Sequence, residues 1–98
     1  MRILARTFKS TTATLEATRP VEIQFRRDED LFFAESEVLG IYAAGESIKA
    51  AFREFIDQVV YFFKYYRSLA AEEVTADAVR LRRLYLEEFR EVPSPTPS

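Results

Sequence analysis

Few side chains in this sequence have both the type and the spacing that catalysis requires. The chain contains no Cys and no His, which excludes disulfides, thiolate metal sites and the commonest general base. Glu35 and Glu37 come nearest to a carboxylate pair, but nothing around them supports general acid–base chemistry. Asp28-Glu29-Asp30 lacks the Gly and the spaced oxygen ligands of a calcium loop, so we interpret it as a turn. The sequence therefore predicts a non-enzymatic protein without a metal or cofactor.

The residues that could bind a partner are aromatic and acidic. The run Tyr61-Phe62-Phe63-Lys64-Tyr65-Tyr66 holds more aromatic side chains than one helix face can bury. Tyr61 and Tyr65 lie one helical turn apart and are expected to form a partner or self-association surface, where Tyr is enriched. The alternative is that a second helix folds back over them. Glu35 and Glu37 complete the candidate partner-binding set.

Charge is distributed unevenly along the 98 residues, although the net charge is only −2. Residues 1–27 hold six basic and two acidic groups, whereas residues 28–57 hold two basic and eight acidic groups. The basic beginning could contact nucleic acid and the acidic middle could contact a basic protein, or both are ordinary solvated surface. We find no signal-peptide pattern, and the apolar runs are shorter than the roughly 20 residues of a membrane span. A cytoplasmic protein is expected.

The chain is organised around a predicted helix from Ser47 to Leu69. Its apolar residues recur at steps of three and four, as one buried helix face requires. Ser47 is the expected N-cap, and Gly45 separates the helix from the preceding segment. The buried face is predicted to contain Ile48, Phe52, Phe55, Val59, Phe62 and Tyr66, widened by Ala51, Ile56 and Phe63.

The segments before this helix alternate between apolar and polar residues, as strands with one buried face do. We predict strands over Arg2 to Phe8, Thr12 to Thr18, Val21 to Arg27, Leu31 to Ser36 and Val38 to Ala44. Pro20 is expected to end the second strand and so to separate it from the third. Gly40 is expected to mark a bulge or a close backbone approach. Short polar links between strands indicate an antiparallel meander. The helix should bury Phe52, Phe55 and Val59 against Val21, Ile23 and Phe25.

A second helix is predicted from Ala76 to Phe89 or Arg90, with Thr75 as its N-cap. Residues 93–98 are rich in Pro and Ser and are expected to form an extended, disordered tail. Ala70 to Glu73 either prolong the first helix or fray. The predicted fold is α+β: a single domain over residues 1–92, with three to five antiparallel strands, one face of the sheet covered by the long helix, and a C-terminal second helix.

Between Val21 and about Tyr66 the order of features resembles the HicB-like antitoxin domain. The corresponding residues are VEIQF, RRDED, LFFAES, VLGIYAA and GESIKAAFREF, and the most specific piece is Gly45-x-Ser47-Ile48-x-x-Ala51. The resemblance implies a protein-binding module that masks a small, basic RNA-cleaving toxin of the HicA kind. DNA-binding members carry a C-terminal ribbon-helix-helix or helix-turn-helix module. Thr75 to Arg90 is one helix too few for either.

We therefore expect a protein-binding module, with a homodimer or higher homo-oligomer as its own assembly and no binding to nucleic acid alone or to membranes. Two other classes stay open. One is a nucleic-acid-binding protein that uses the basic N-terminal strands, and the other is a structural domain that associates only with itself.

Overall fold

The computed structural model describes residues 1–69 and 75–93. It confirms the α+β class. The elements in chain order are β1 (Arg2–Lys9), β2 (Thr14–Asp28), β3 (Leu31–Ser36), β4 (Ile41–Gly45), α1 (Ile48–Ser68), α2 (Ala76–Glu88) and β5 (Phe89–Val92). The expectations for Ala70 to Glu73 and for residues 94–98 lie outside the described residues.

The strands of the described chain form one antiparallel sheet in the order β1-β2-β3-β4, and β5 pairs with β2 as well. The first half of β2 pairs with β5, from Thr14↔Val92 to Ala17↔Phe89. The second half pairs with β3, from Gln24↔Glu35 to Asp28↔Leu31. Since β3 and β5 share one edge of β2 while β1 occupies the other, β2 is the central strand.

The prediction that Pro20 ends a strand is wrong, because β2 runs through it without a break. On one side the register shifts from Ala5↔Val21 to Thr7↔Glu16, which leaves a bulge around Pro20. On the other side residues 18–20 fall between β5 and β3 and have no register partner in either. The N–H that Pro20 lacks therefore removes no ladder hydrogen bond, as for proline at bulges elsewhere.

The strand predicted from Val38 to Ala44 begins later, at Ile41, because residues 37–40 form a turn. The Gly40 N–H donates to the Glu37 carbonyl at 3.1 Å, and the Leu39 N–H donates to Ser36 Oγ at 3.2 Å. Gly40 adopts φ of +68°, a left-handed conformation that costs glycine little. Gly40 therefore closes a turn and does not mark a bulge.

The main helix agrees with its prediction to within one residue at each end. Ser47 is the N-cap, since its Oγ accepts the Ala50 N–H at 3.0 Å. Its buried residues are Ala51, Phe55, Val59, Val60, Phe63 and Tyr66. Val60 is buried although the predicted face omits it, whereas Ile48 is 42% exposed. Phe52, Ile56 and Phe62 are only half-buried. The fully buried face is therefore shifted around the helix relative to the prediction and begins about one turn later.

The expected contact between α1 and the sheet is present for Phe52 and Phe25. Phe55 and Val59 are fully buried, and Phe52 is half-buried. The Phe52 ring lies 6.1 Å from that of Phe25, and the Phe55 ring lies 6.4 Å from that of Phe8. Ile23 is fully buried as well, whereas Val21 is only half-buried. α1 packs mainly over β4 and β3 and only lightly over β2.

The C-terminal helix ends before Phe89, and the prediction that it continues to Phe89 or Arg90 is wrong. Phe89 begins β5, where its ring packs edge-on against Phe8 at 5.6 Å. Arg90 lies opposite Glu16 and forms an ion pair with it at 2.8 Å. Thr75 precedes α2 with an extended backbone, but its hydroxyl makes no capping hydrogen bond. The aromatic ring of Phe89 therefore joins the sheet core, and the chain becomes extended to place it there.

Candidate protein-binding surfaces

The two faces of the sheet differ in what covers them. Alternate residues of β2, β3 and β4 are buried under the helices, among them Ile23, Ala34 and Ala43. Their neighbours point to the opposite face, where no described element covers them. One row across that face contains Arg2, Gln24, Glu35 and Tyr42, which are direct cross-strand neighbours. We call this surface the open sheet face.

A groove of about 380 Å³ lies on the open sheet face where β2, β3 and β4 meet the turn at residues 37–40. It is lined by Glu22, Gln24, Glu35, Ser36, Glu37, Val38 and Tyr42. Val38 and Tyr42 are 62% and 61% exposed, so the groove offers apolar area beside three carboxylates. We call it the acidic groove.

The three carboxylates of the acidic groove differ in their partners. Glu22 forms an ion pair with Arg2 at 3.2 Å, and Glu35 forms one with Arg26 at 2.9 Å. The Arg26 guanidinium also lies 4.3 Å from the centre of the Phe33 ring, which holds it flat on the sheet. Glu37 takes part in none of the ion pairs among the described residues. Glu37 is thus the carboxylate with most capacity for a cation from outside.

Tyr61 and Tyr65 lie on the outer side of α1, where they are 63% and 45% exposed. Their rings stack at a centroid distance of 6.3 Å and an interplanar angle of 9°. α2 packs against two other aromatic residues of the run, since the Tyr85 ring lies 6.1 Å from that of Phe62 and 5.5 Å from that of Tyr66. The second helix therefore covers Phe62 and Tyr66 and leaves Tyr61 and Tyr65 exposed.

The structure does not bring the four candidate residues together. Glu35 and Glu37 line the acidic groove, whereas Tyr61 and Tyr65 lie on the helical layer on the other side of the sheet. The chain therefore has two separate candidate surfaces, one acidic and one aromatic.

A second concavity, of about 310 Å³, lies beside the part of β2 that neither β3 nor β5 pairs. Its walls are mainly apolar and include Pro20, Val38, Leu39, Leu84 and Phe89. Glu88 lies at its rim, where it accepts hydrogen bonds from Arg19 Nη2 at 2.8 Å and Thr18 Oγ1 at 2.6 Å. Arg19, and then Thr18, hold the pKa of the Glu88 carboxyl below its usual value. The sequence carried no signal for this cleft, because it exists only once β5 returns to β2.

The acidic turn that links β2 and β3 contains Glu29 and Asp30, and Glu29 has φ of +55°. Its carbonyl accepts a hydrogen bond from Arg27 Nε at 3.2 Å.

Within residues 1–69 and 75–93, no group of three or more His, Cys, Asp or Glu side chains is arranged to hold a metal ion. In the same ranges no helix is long and apolar enough to cross a membrane.

Comparison with known proteins gave no match to a protein family, to a curated protein or to a solved structure.

Proposed function

We propose that the protein is a non-enzymatic binding module that holds a basic partner protein on the open sheet face, at the acidic groove. The observation that carries this proposal is the exposure of Val38 and Tyr42 beside Glu35 and Glu37 on a face that no described element covers. Exposed apolar area rimmed by polar side chains is typical of protein interaction sites.

The charge of the groove determines the kind of partner. Arg2 and Arg26 neutralise two of its three carboxylates, so the remaining negative charge lies mainly at Glu37. A Lys or Arg of a partner that reaches Glu37 would also approach the Tyr42 ring, and cations bind well to the faces of aromatic rings. Complementary charge speeds association and selects against acidic partners.

The HicB-like resemblance makes the proposed partner more specific. It implies a small, basic, RNA-cleaving toxin, and with it a cytoplasmic site of action. The observed order of strand, acidic turn, two further strands and a helix opened by Gly45 and Ser47 supports this assignment. Ahead of that stretch lies β1, and after it α2 leads into β5. Operator binding is not part of the proposal.

The proposal is tested with the product of the adjacent reading frame, if that frame encodes a small basic protein with a lone His. We expect its expression alone to arrest growth, co-expression of this chain to relieve the arrest, and the two purified proteins to form a complex. Glu37→Lys should weaken the complex by at least about tenfold, because a like charge then faces the basic partner. Asp30→Lys is the matched control, because Asp30 is exposed in the turn at the other end of β3.

Calorimetric titration of the parent and both variants gives the three dissociation constants. A complex that Glu37→Lys and Asp30→Lys weaken equally would mean that the partner binds elsewhere. The absence of any complex with a small basic neighbouring product would overturn the antitoxin assignment.

A further inference from the structure

The outer side of α1 carries a short row of four side chains, three of which are exposed. Asp57, Tyr61 and Tyr65 follow one another at intervals of four residues, and Lys64 lies beside them. Positions three or four apart are neighbours on a helix surface, so the four side chains form one patch. Asp57, Tyr61 and Tyr65 are exposed and Lys64 is half-buried. We call this patch the tyrosine face.

The charges of the tyrosine face are arranged symmetrically around Tyr61. Asp57 precedes Tyr61 by one turn and Lys64 follows it by nearly one turn. Neither residue takes part in an ion pair with another described residue. The separation of Asp57 and Lys64 along the axis is about 10 Å, from a rise of about 1.5 Å per residue. Their charges are therefore both available to a molecule that packs on the two tyrosines.

We propose that the tyrosine face is a homodimer interface, in which the α1 helices of two copies pack antiparallel about a two-fold axis beside Tyr61. In this arrangement Asp57 of each copy lies level with Lys64 of the other, because the axis passes midway between them. The two Tyr61 rings meet near the axis, and each Tyr65 extends the contact by one turn. A two-fold interface requires a surface that is complementary to itself, and a row of acid, aromatic and base satisfies that requirement.

Pairing of strand edges is the other route to a dimer, and the edges of β1 and β4 oppose it. The free edge strand β1 carries Arg2, Arg6 and Lys9, so two antiparallel copies of it would bring like charges close together. At the other edge of the sheet, the Tyr42 carbonyl of β4 accepts a hydrogen bond from Gln58 Nε2 at 3.4 Å. The helical surface is therefore the better template for a second copy.

This inference goes beyond the proposed function and does not depend on it. The tyrosine face and the acidic groove lie on different layers of the molecule. Two copies joined through α1 would therefore keep both acidic grooves accessible. Loss of dimerisation and loss of the basic partner can then be measured separately on the same variants.

Charge exchange between Asp57 and Lys64 tests the interface. Sedimentation velocity at increasing micromolar concentrations should give a mass of twice 11.4 kDa for the parent. Asp57→Lys and Lys64→Asp should each raise the dimer dissociation constant by at least about tenfold, because two-fold symmetry places like charges together at two points. The double variant should recover the parent value. Asp30→Lys and Lys49→Asp make the same charge changes at exposed positions outside the face and should have no effect.

A mixing experiment distinguishes charge repulsion at the interface from misfolding of the variants. An equimolar mixture of Asp57→Lys and Lys64→Asp places two lysines of one copy opposite two aspartates of the other. The mixture should therefore contain a heterodimer while each variant alone stays monomeric, and circular dichroism should show both to be folded. A monomeric parent, a dimer that neither variant weakens, or folded variants that neither the double exchange nor mixing restores would each overturn the proposal.

Discussion

Tyr85 connects the two helices and the turn at residues 37–40 through one side chain. Its hydroxyl donates to the Leu39 carbonyl at 2.9 Å, and both groups are buried. Its ring packs against those of Tyr66 and Phe89, the latter at 5.6 Å. Burial, and then the neighbouring Tyr66, raise the pKa of Tyr85 far above its ordinary value. Tyr85 thus stays protonated in the folded protein at pH values where an unfolded tyrosine ionises.

Tyr85→Phe should lower the free energy of unfolding at neutral pH by about 1–3 kcal/mol, because it leaves the buried Leu39 carbonyl without its donor. Above about pH 10 the unfolded parent loses the Tyr85 proton while the folded parent keeps it, so the parent loses stability as pH rises. The variant lacks this loss, and the difference between the two proteins should shrink.

Urea denaturation of both proteins between neutral pH and pH 11 measures this difference. Tyr42→Phe is the matched control at neutral pH, since it removes a hydroxyl from a ring that is 61% exposed and should change stability by less than about 0.5 kcal/mol. A difference between Tyr85→Phe and the parent that stays constant up to pH 11 would contradict the prediction.

At the scale of the elements, the sequence predicts the bounds of an element correctly where local signals within the segment determine its conformation. The period of α1 and the Ser47 cap are local signals, and the observed helix differs from the prediction by one residue at each end. The same holds for β3, whose bounds were predicted correctly. Along this strand Ala34 is buried in the core, whereas Glu35 lines the acidic groove on the open sheet face.

The misjudged elements depend on segments distant in sequence. The strand β2 passes through Pro20 because β2 bulges there opposite β1 and because β3 and β5 leave a gap on the other side. The four-residue strand β5 exists because Phe89 packs against Phe8, a residue 81 positions earlier. No periodicity within either segment carries this information. The exposure of Tyr61 and Tyr65 was likewise left open by the sequence, because it depends on where α2 packs.

Gly45 joins β4 to α1 at a position where a side chain has no room. A Cβ atom there would lie 2.5 Å from the Ala51 nitrogen and 2.7 Å from the Ala50 carbonyl carbon. Since both are backbone atoms, the first turn of α1 would have to move. Gly45→Ala should therefore cost about 1–3 kcal/mol in the free energy of unfolding, as other overpacking substitutions do.

Gly40 provides the comparison, because its constraint is conformational and not steric. A Cβ atom at Gly40 would make only ordinary contact with Leu81, at 3.7 Å. Asn tolerates the left-handed conformation of Gly40, so Gly40→Asn should cost less than Gly40→Ala. At Gly45 the order should reverse, since Asn is larger than Ala. Urea denaturation of the four variants gives both orders, and a Gly45→Ala variant as stable as the parent would contradict the steric account.

At the scale of the molecule, ion pairs offset part of the positive charge of the basic N-terminal region. Three of its six cations, Arg2, Arg19 and Arg26, form ion pairs with carboxylates of the described chain. Farther along, Arg67 and Arg90 are also paired, with Glu91 and Glu16. These pairs are exposed and contribute little to stability, but each places a negative charge beside a cation. The surface formed by the described residues is therefore a mixture of charges, without the continuous basic stripe that a nucleic-acid backbone requires.

We accordingly expect no tight binding to duplex DNA at physiological salt. Fluorescence anisotropy with a labelled duplex should give a dissociation constant no tighter than the range of about 10⁻⁴–10⁻⁶ M typical of non-specific contacts. The logarithm of the association constant should fall only shallowly with the logarithm of salt concentration, because few phosphates are neutralised. Arg2→Gln with Arg6→Gln tests the first strand directly, and Arg80→Gln with Arg83→Gln is the matched control on α2. Sub-micromolar, salt-sensitive binding that the first pair abolishes and the second pair leaves intact would make the N-terminal strands a nucleic-acid interface.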